Sequence, residues 1–185
     1  MTSVSLQQVH DEVVSCTKCE LCKTRNNSVP GKGNHKSEII FIGEAPGRSE
    51  DKAGEPFVGA AGKKLSEALE YAGVSRDSVY ITNVVKCRPP SNRVPTQKEK
   101  ESCRRYLELE ISLIKPKVIC IMGNTAYQSL LGGGNITKER GKFVKDNGKT
   151  YFLTIHPAAV IYNKKLLDSL KNDIKKLVNE VKKMS

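Results

Sequence analysis

Four short apolar runs recur along the chain, Glu38 to Ile42, Val79 to Val85, Lys117 to Met122 and Thr150 to Ile155, each rich in Ile and Val and bounded by Gly, Pro or Asn. Runs of this length and composition read as buried strands. Between them the apolar spacing becomes helical. Ala60 to Ala72 places Leu65, Ala68, Leu69 and Ala72 on one face, and Thr96 to Ile114 opens with the capping box Thr96-x-x-Glu99. The last segment, Lys164 to Lys183, repeats Leu167, Leu170, Ile174, Leu177, Val178 and Val181 at helical spacing among lysines. Strands alternating with helices predict an α/β chain whose parallel sheet is covered by helices on both faces, with ligands at the carboxyl ends of the strands.

A chain of 185 residues is the size of one domain, so residues 1–185 are expected to share a core. Lys and Arg number 31 against 20 for Asp and Glu, a net charge of +11 that makes a polyanion the first partner to consider. A lysine-rich solvated surface explains the same excess equally well. Residues 1–15 lack the basic start and apolar centre of a signal peptide, and no apolar run approaches the ~20 residues of a membrane span. The expectation is a soluble, cytoplasmic protein, with no membrane partner and a monomer as the default.

Thiols in a reducing compartment are metal ligands or core residues more often than disulfides. Cys16 and Cys19 form a C-x-x-C, and Cys87 and Cys103 a C-x15-C far along the chain. Two such pairs can complete a tetrathiolate site, and spacing alone leaves zinc and an iron–sulfur cluster both open. Cys22 extends the first pair to C-x-x-C-x-x-C, but the nearby fourth Cys and Pro of the bacterial ferredoxin pattern are absent; Cys120, inside VICIM, reads as core.

Gly43 to Gly47, GEAPG, leaves the first strand at its carboxyl end, where glycine permits close backbone approach and Glu44 offers a carboxylate. A phosphate-binding P-loop is excluded around Gly62-Lys63-Lys64, because Phe57 stands where its first Gly belongs. Asn83 lies near the end of the second run, and His156 with Pro157 follows the fourth. A carboxylate, an amide and an imidazole at three strand ends imply a pocket. An Asn amide, both donor and acceptor, matches the O4 and N3–H edge of a pyrimidine, and Phe57 supplies a stacking face.

With C-T-K-C-E-L-C-K-T-R, GEAPG, EDKAGEPFVGAAGK, ITNVVKCRPPSNRVPT and HPAAV in that order, nearly the whole chain resembles a family 4 uracil-DNA glycosylase, the iron–sulfur branch of that superfamily. The resemblance implies a three-layer α/β/α fold around a mostly parallel four-stranded sheet. It also implies removal of uracil from DNA and a structural [4Fe-4S] cluster on Cys16, Cys19, Cys87 and Cys103, with Cys22 outside the ligand set and zinc the runner-up. By the same resemblance Gly43, Glu44 and Ala45 line the uracil pocket, Phe57 stacks on the base, Asn83 reads its polar edge, His156 reaches O2, and Glu50 crowds a thymine methyl.

Glu44 and His156 are then the expected catalytic pair. Val160 or Ile161 would be the apolar wedge in the minor groove, and Lys86, Arg88, Arg93 and Arg140 the phosphate contacts. A non-catalytic nucleic-acid-binding module stabilised by metal or cluster, and a ferredoxin-like electron carrier, are the alternatives. The first leaves Glu44, Asn83 and His156 without a role. The partner implied is uracil-containing DNA, single- or double-stranded, with a sliding clamp left open.

Overall fold

A computed structural model describes residues 4–184. The single-domain expectation for 1–185 also takes in Met1 to Ser3 and Ser185, which lie outside the described residues. In chain order the strands are β1 (Lys32–Gly33), β2 (Ile39–Gly43), β3 (Tyr80–Asn83), β4 (Val118–Met122), β5 (Phe143–Asp146) and β6 (Lys149–Thr154). They hydrogen-bond in the order β1-β3-β2-β4-β6-β5, with β3, β2, β4 and β6 parallel and the two outer strands antiparallel.

All four apolar runs are strands, but the sheet has six strands rather than four. The additional pair are edge strands of a kind that hydrophobic runs do not reveal. β1 is two exposed residues, and β5 carries only Phe143 and Val144 before Lys145 and Asp146. A two-residue turn at Asn147 (φ 46°) and Gly148 (φ 75°) joins β5 to β6, both residues in the left-handed region that an Asn-Gly hairpin requires.

The helices are α1 (Leu6–Val14), α2 (Arg48–Ala53), α3 (Ala60–Tyr71), α4 (Gln97–Ile114), α5 (Asn124–Leu131), α6 (Ile136–Glu139), α7 (Ala158–Tyr162) and α8 (Leu166–Lys183). Side chains alternate across the sheet, as the two-residue strand period demands. Ile40, Ile42, Ile119 and Ile121 pack with α1 and α4 on one face, and Ile39, Phe41, Val118 and Cys120 with α3 and α8 on the other. Because both faces are covered, the central strands are apolar throughout instead of alternating.

Thr96 caps α4 through the expected box: its hydroxyl accepts from Glu99 N–H, and the Glu99 carboxylate accepts from Thr96 N–H. The apolar stripe of α8 is buried at Leu170, Ile174, Leu177, Val178 and Val181. Among the described residues no helix is long and apolar enough to cross a membrane.

Candidate active site and thiol-lined cavity

Parallel strands put their carboxyl ends on one edge, and there β2 delivers Glu44 and Ala45, β3 delivers Asn83, and the turn after β6 delivers His156. A cavity of about 380 Å³ opens between them, lined by Glu44, Ala45, Glu50, Phe57, Asn83 and His156, with Asn92, Arg93 and Tyr162 also in its wall. Gly43, expected in the pocket, is not in the cavity wall but packs directly against Phe57 and Asn83. A β-carbon there would lie 2.5 Å from the Phe57 ring and 2.6 Å from Asn83 Oδ1, so only glycine lets both side chains close over the strand end.

Asn83 Oδ1 and His156 Nε2 are enclosed yet have no protein hydrogen-bond partner, and among the described residues they are the buried side-chain N and O atoms in that state. Buried polar atoms are seldom left so unless a ligand completes them. The other imidazole nitrogen is committed, since Ala158 N–H donates to His156 Nδ1 at 3.1 Å. That bond puts the ring proton on Nε2 and aims a donor into the cavity. Burial pushes the His156 pKa down to about 4, against a smaller upward pull from Glu50, so the ring is neutral at pH 7.

Phe57 stands 5.6 Å from His156 between ring centroids, the planes tilted by 33°. Its backbone is left-handed, φ 52°, an arrangement that persists in a non-glycine residue only when its surroundings enforce it. Glu50 is the enforcer. Its Oε1 accepts from Val58 N–H (3.0 Å) and Gly59 N–H (2.8 Å), and its Oε2 accepts from Gly47 N–H (3.1 Å), tying the Phe57 loop to the start of α2. The Thr125 hydroxyl donates to Glu44 Oε2 and fixes that carboxylate. Thr125 was not foreseen from sequence, although it sits just beyond the carboxyl end of β4, where the strand-end logic that found Asn83 also points.

Behind β3, Cys16, Cys19, Cys22, Cys87 and Cys103 line one further cavity together with Arg25 and Tyr106. Arg25 Nη1 donates to Cys87 Sγ at 3.0 Å, and Lys86 N–H donates to Cys103 Sγ at 3.3 Å. Burial raises the Cys19 and Cys87 thiols, the latter against the pull of Arg25, and lifts Cys103 to about 12. Burial thus favours the neutral thiols, and a cation beside them favours the thiolate, as Arg25 does at Cys87. Among the described residues no three His, Cys, Asp or Glu are grouped to hold a single metal ion. Cys120, as expected, is core.

The expected DNA contacts divide. Arg93 is in the wall of the Asn83 cavity with its guanidinium forked onto Glu99 at 2.7 and 2.9 Å, and Arg88 reaches back to Asn92 Oδ1 at 2.7 Å. Lys86 is no surface cation: its side chain is 1 % exposed and bound to Glu110. Its position next to Cys87 in a basic stretch gave no hint that the chain turns it inward. Arg140 forks onto Asp173 at 2.8 and 3.0 Å and is not in the cavity wall. Val160 cannot act as a wedge, being 1 % exposed in the α3–α8 layer; Ile161 is 46 % exposed and Tyr162 91 %.

Residues 30–182 match the family model of the uracil DNA glycosylase superfamily. The chain is 49 % identical over 183 residues to the type-4 uracil-DNA glycosylase of Sulfurisphaera tokodaii, a match that covers 94 % of this chain and 83 % of that one. It is 48 % identical to the enzyme of the same name from Archaeoglobus fulgidus, covering 94 % and 92 %. To that of Saccharolobus solfataricus it is 46 % identical, covering 94 % and 85 %. On a sheet whose strand ends hold Glu44, Asn83 and His156 around one cavity, these likenesses have one meaning: the chain belongs to the uracil DNA glycosylase superfamily, in its type-4 family.

Proposed function

We propose that this protein removes uracil from DNA by hydrolysing the N-glycosidic bond of a flipped-out nucleotide, acting as one domain with an N-terminal cofactor-binding segment. The observation that carries the reading is the pair of enclosed, partnerless atoms, Asn83 Oδ1 and His156 Nε2, facing a cavity flanked by Phe57. Uracil offers what they lack. Its N3–H is a donor for Asn83 Oδ1, its O2 an acceptor for His156 Nε2–H, and its ring face a surface for Phe57. A base inside a duplex cannot reach such a cavity, so flipping costs a few kcal/mol of unstacking that the pocket contacts offset.

Catalysis then follows from charge development. As the C1′–N1 bond breaks, its electron pair passes to the base and positive charge grows on the sugar. A neutral Nε2–H donor stabilises the developing charge on O2 most in the transition state, without having to surrender a proton. Glu44, held by Thr125, faces the site as the group that orients the attacking water or offsets the sugar cation. Water oxygen bonds to C1′, and its proton balances the departing uracil anion. Glu50 lines the cavity beside Phe57, where the loop it ties narrows the space open to a 5-methyl group.

The gathering of Cys16, Cys19, Cys87 and Cys103 around one cavity supports a [4Fe-4S] cluster on these four thiols. What favours the cluster over a tetrahedral zinc ion is the chain's likeness to type-4 uracil-DNA glycosylases, with both metals able to take four thiolates. Such a group would serve as a staple between the segment after α1, the end of β3, and α4. Arg93 in the cavity wall, and Arg88 bonded to the neighbouring Asn92, are the cations nearest the pocket for phosphate, and the wedge role falls to the exposed Ile161 and Tyr162. The test is release of free uracil from a uracil-containing oligonucleotide with a thymine control: release from the first alone supports the reading, and none from either defeats it.

A further inference from the structure

Lys86 and Glu110 form an ion pair that is almost wholly shut off from water, at 1 % and 0 % side-chain exposure. Lys86 Nζ donates to Glu110 Oε2 (2.5 Å), to Thr82 Oγ1 (2.5 Å) and to the main-chain carbonyl of Asn83 (2.9 Å). Its three protons thus have three acceptors. Glu110 in turn accepts from Gly31 N–H (2.8 Å), the Tyr80 hydroxyl (3.2 Å) and the Thr82 hydroxyl (2.8 Å). The main chain of Lys86 is also committed, its N–H to Cys103 Sγ and its carbonyl to Val29 N–H at 2.7 Å.

A buried ion pair is an expensive way to stabilise a fold, because apolar side chains of equal volume often do as well or better. What an apolar replacement could not do is hold a carbonyl. Lys86 is the first residue before the thiol Cys87 and the third after Asn83, and its side chain folds back on the turn between them. One residue therefore grips the backbone of Asn83 with its side chain and a thiol of the second cavity with its main chain.

We propose that Lys86, braced by Glu110, is a positioning residue: it fixes the backbone of Asn83 so that the side-chain amide meets the flipped base, and it joins that position to the thiol-lined cavity. The inference rests on the pocket reading above. It assigns Lys86 no contact with substrate or DNA, which separates it from the surface cations. Removing the pair should lower the rate of bond cleavage, with little change in DNA affinity, because the grip acts on base recognition alone.

The test uses Lys86→Met/Glu110→Gln, which removes both charges together, in the full chain with its iron content measured. Single-turnover uracil release is expected to fall by roughly 10- to 100-fold, with KM for DNA little changed. In an Asn83→Ala background the same double substitution is expected to add almost nothing, since its target is already gone. Thr82→Val, a milder change that takes away one acceptor of Lys86, should show a smaller loss with the same dependence on Asn83. It carries the test if the double variant fails to fold or to retain iron.

Wild-type release by the variant that folds, or an equal fractional loss with and without Asn83, would overturn the proposal. Failure of the pocket reading looks different: Asn83→Ala would itself excise uracil at the wild-type rate.

Discussion

Ala158 N–H donates to His156 Nδ1 across a two-residue turn, and this bond decides which nitrogen of the ring faces the cavity. The turn that ends β6 and starts α7 thus sets the chemistry of the site as well as its shape. Burial holds the same ring neutral, with a pKa of about 4 instead of 6.5. A histidine whose folded pKa is depressed contributes stability that is fully present above 6.5 and is lost as pH falls through about 4. Excision should therefore show no inflection from this group near pH 6.5. Unfolding midpoints of wild type and His156→Gln, followed from pH 7 downwards, should show the wild type losing stability relative to the variant between pH 6.5 and 4, whichever is higher at pH 7. Parallel curves would contradict this.

His156→Ala removes the donor to O2 and should lower single-turnover excision by roughly 10²- to 10³-fold, in the range of a lost oxyanion donor. DNA affinity, measured by equilibrium titration at fixed salt, should stay close to wild type.

Glu50→Ala deprives Gly47, Val58 and Gly59 N–H of their shared acceptor and releases the left-handed turn at Phe57. A cost of about 1–3 kcal/mol is expected in denaturant unfolding, together with slower excision. Glu50→Gln keeps one amide oxygen and should fall between the two. Full stability in the alanine variant would remove Glu50 from its role in the loop.

Cys87→Ser should lose iron, lower the melting temperature and abolish excision, because the segment after α1 is tied to the core at this thiol and through Arg25. Cys22→Ser should keep its iron. Iron, sulfide and zinc analysis of anaerobically purified protein reads both results, and zinc in place of iron would replace the cluster assignment.

Tyr162→Ala should weaken excision from duplex DNA more than from single strands, since a wedge is needed only where a stack must be held open. Equal loss on both substrates would assign Tyr162 to some other contact.

The central strands and the strand-end pocket were legible in the sequence because each is written locally. Ile- and Val-rich runs mark strands buried on both faces, and a parallel sheet brings their ends together without further information. What stayed hidden depends on where a side chain points after the strand stops. Lys86 and Val160 sit in stretches that read as exposed, yet the turn after β3 folds the lysine under the sheet and α7 turns the valine into the core. β1 has no apolar signature at all, whereas the β5–β6 turn was announced by Asn147-Gly148 and could have been found. Thr125 and Arg25 act through partners 81 and 62 residues away, distances at which local pattern carries no signal.

The central claim is that Asn83 and His156 complete their hydrogen bonding on a uracil base. Its most direct measurement is single-turnover release of uracil by wild type, Asn83→Ala and His156→Ala, with DNA binding followed in parallel. The account predicts rapid release by the wild type alone, with all three proteins binding the DNA alike. Wild-type release by either variant, or loss of binding that accounts for the whole drop in rate, would contradict it.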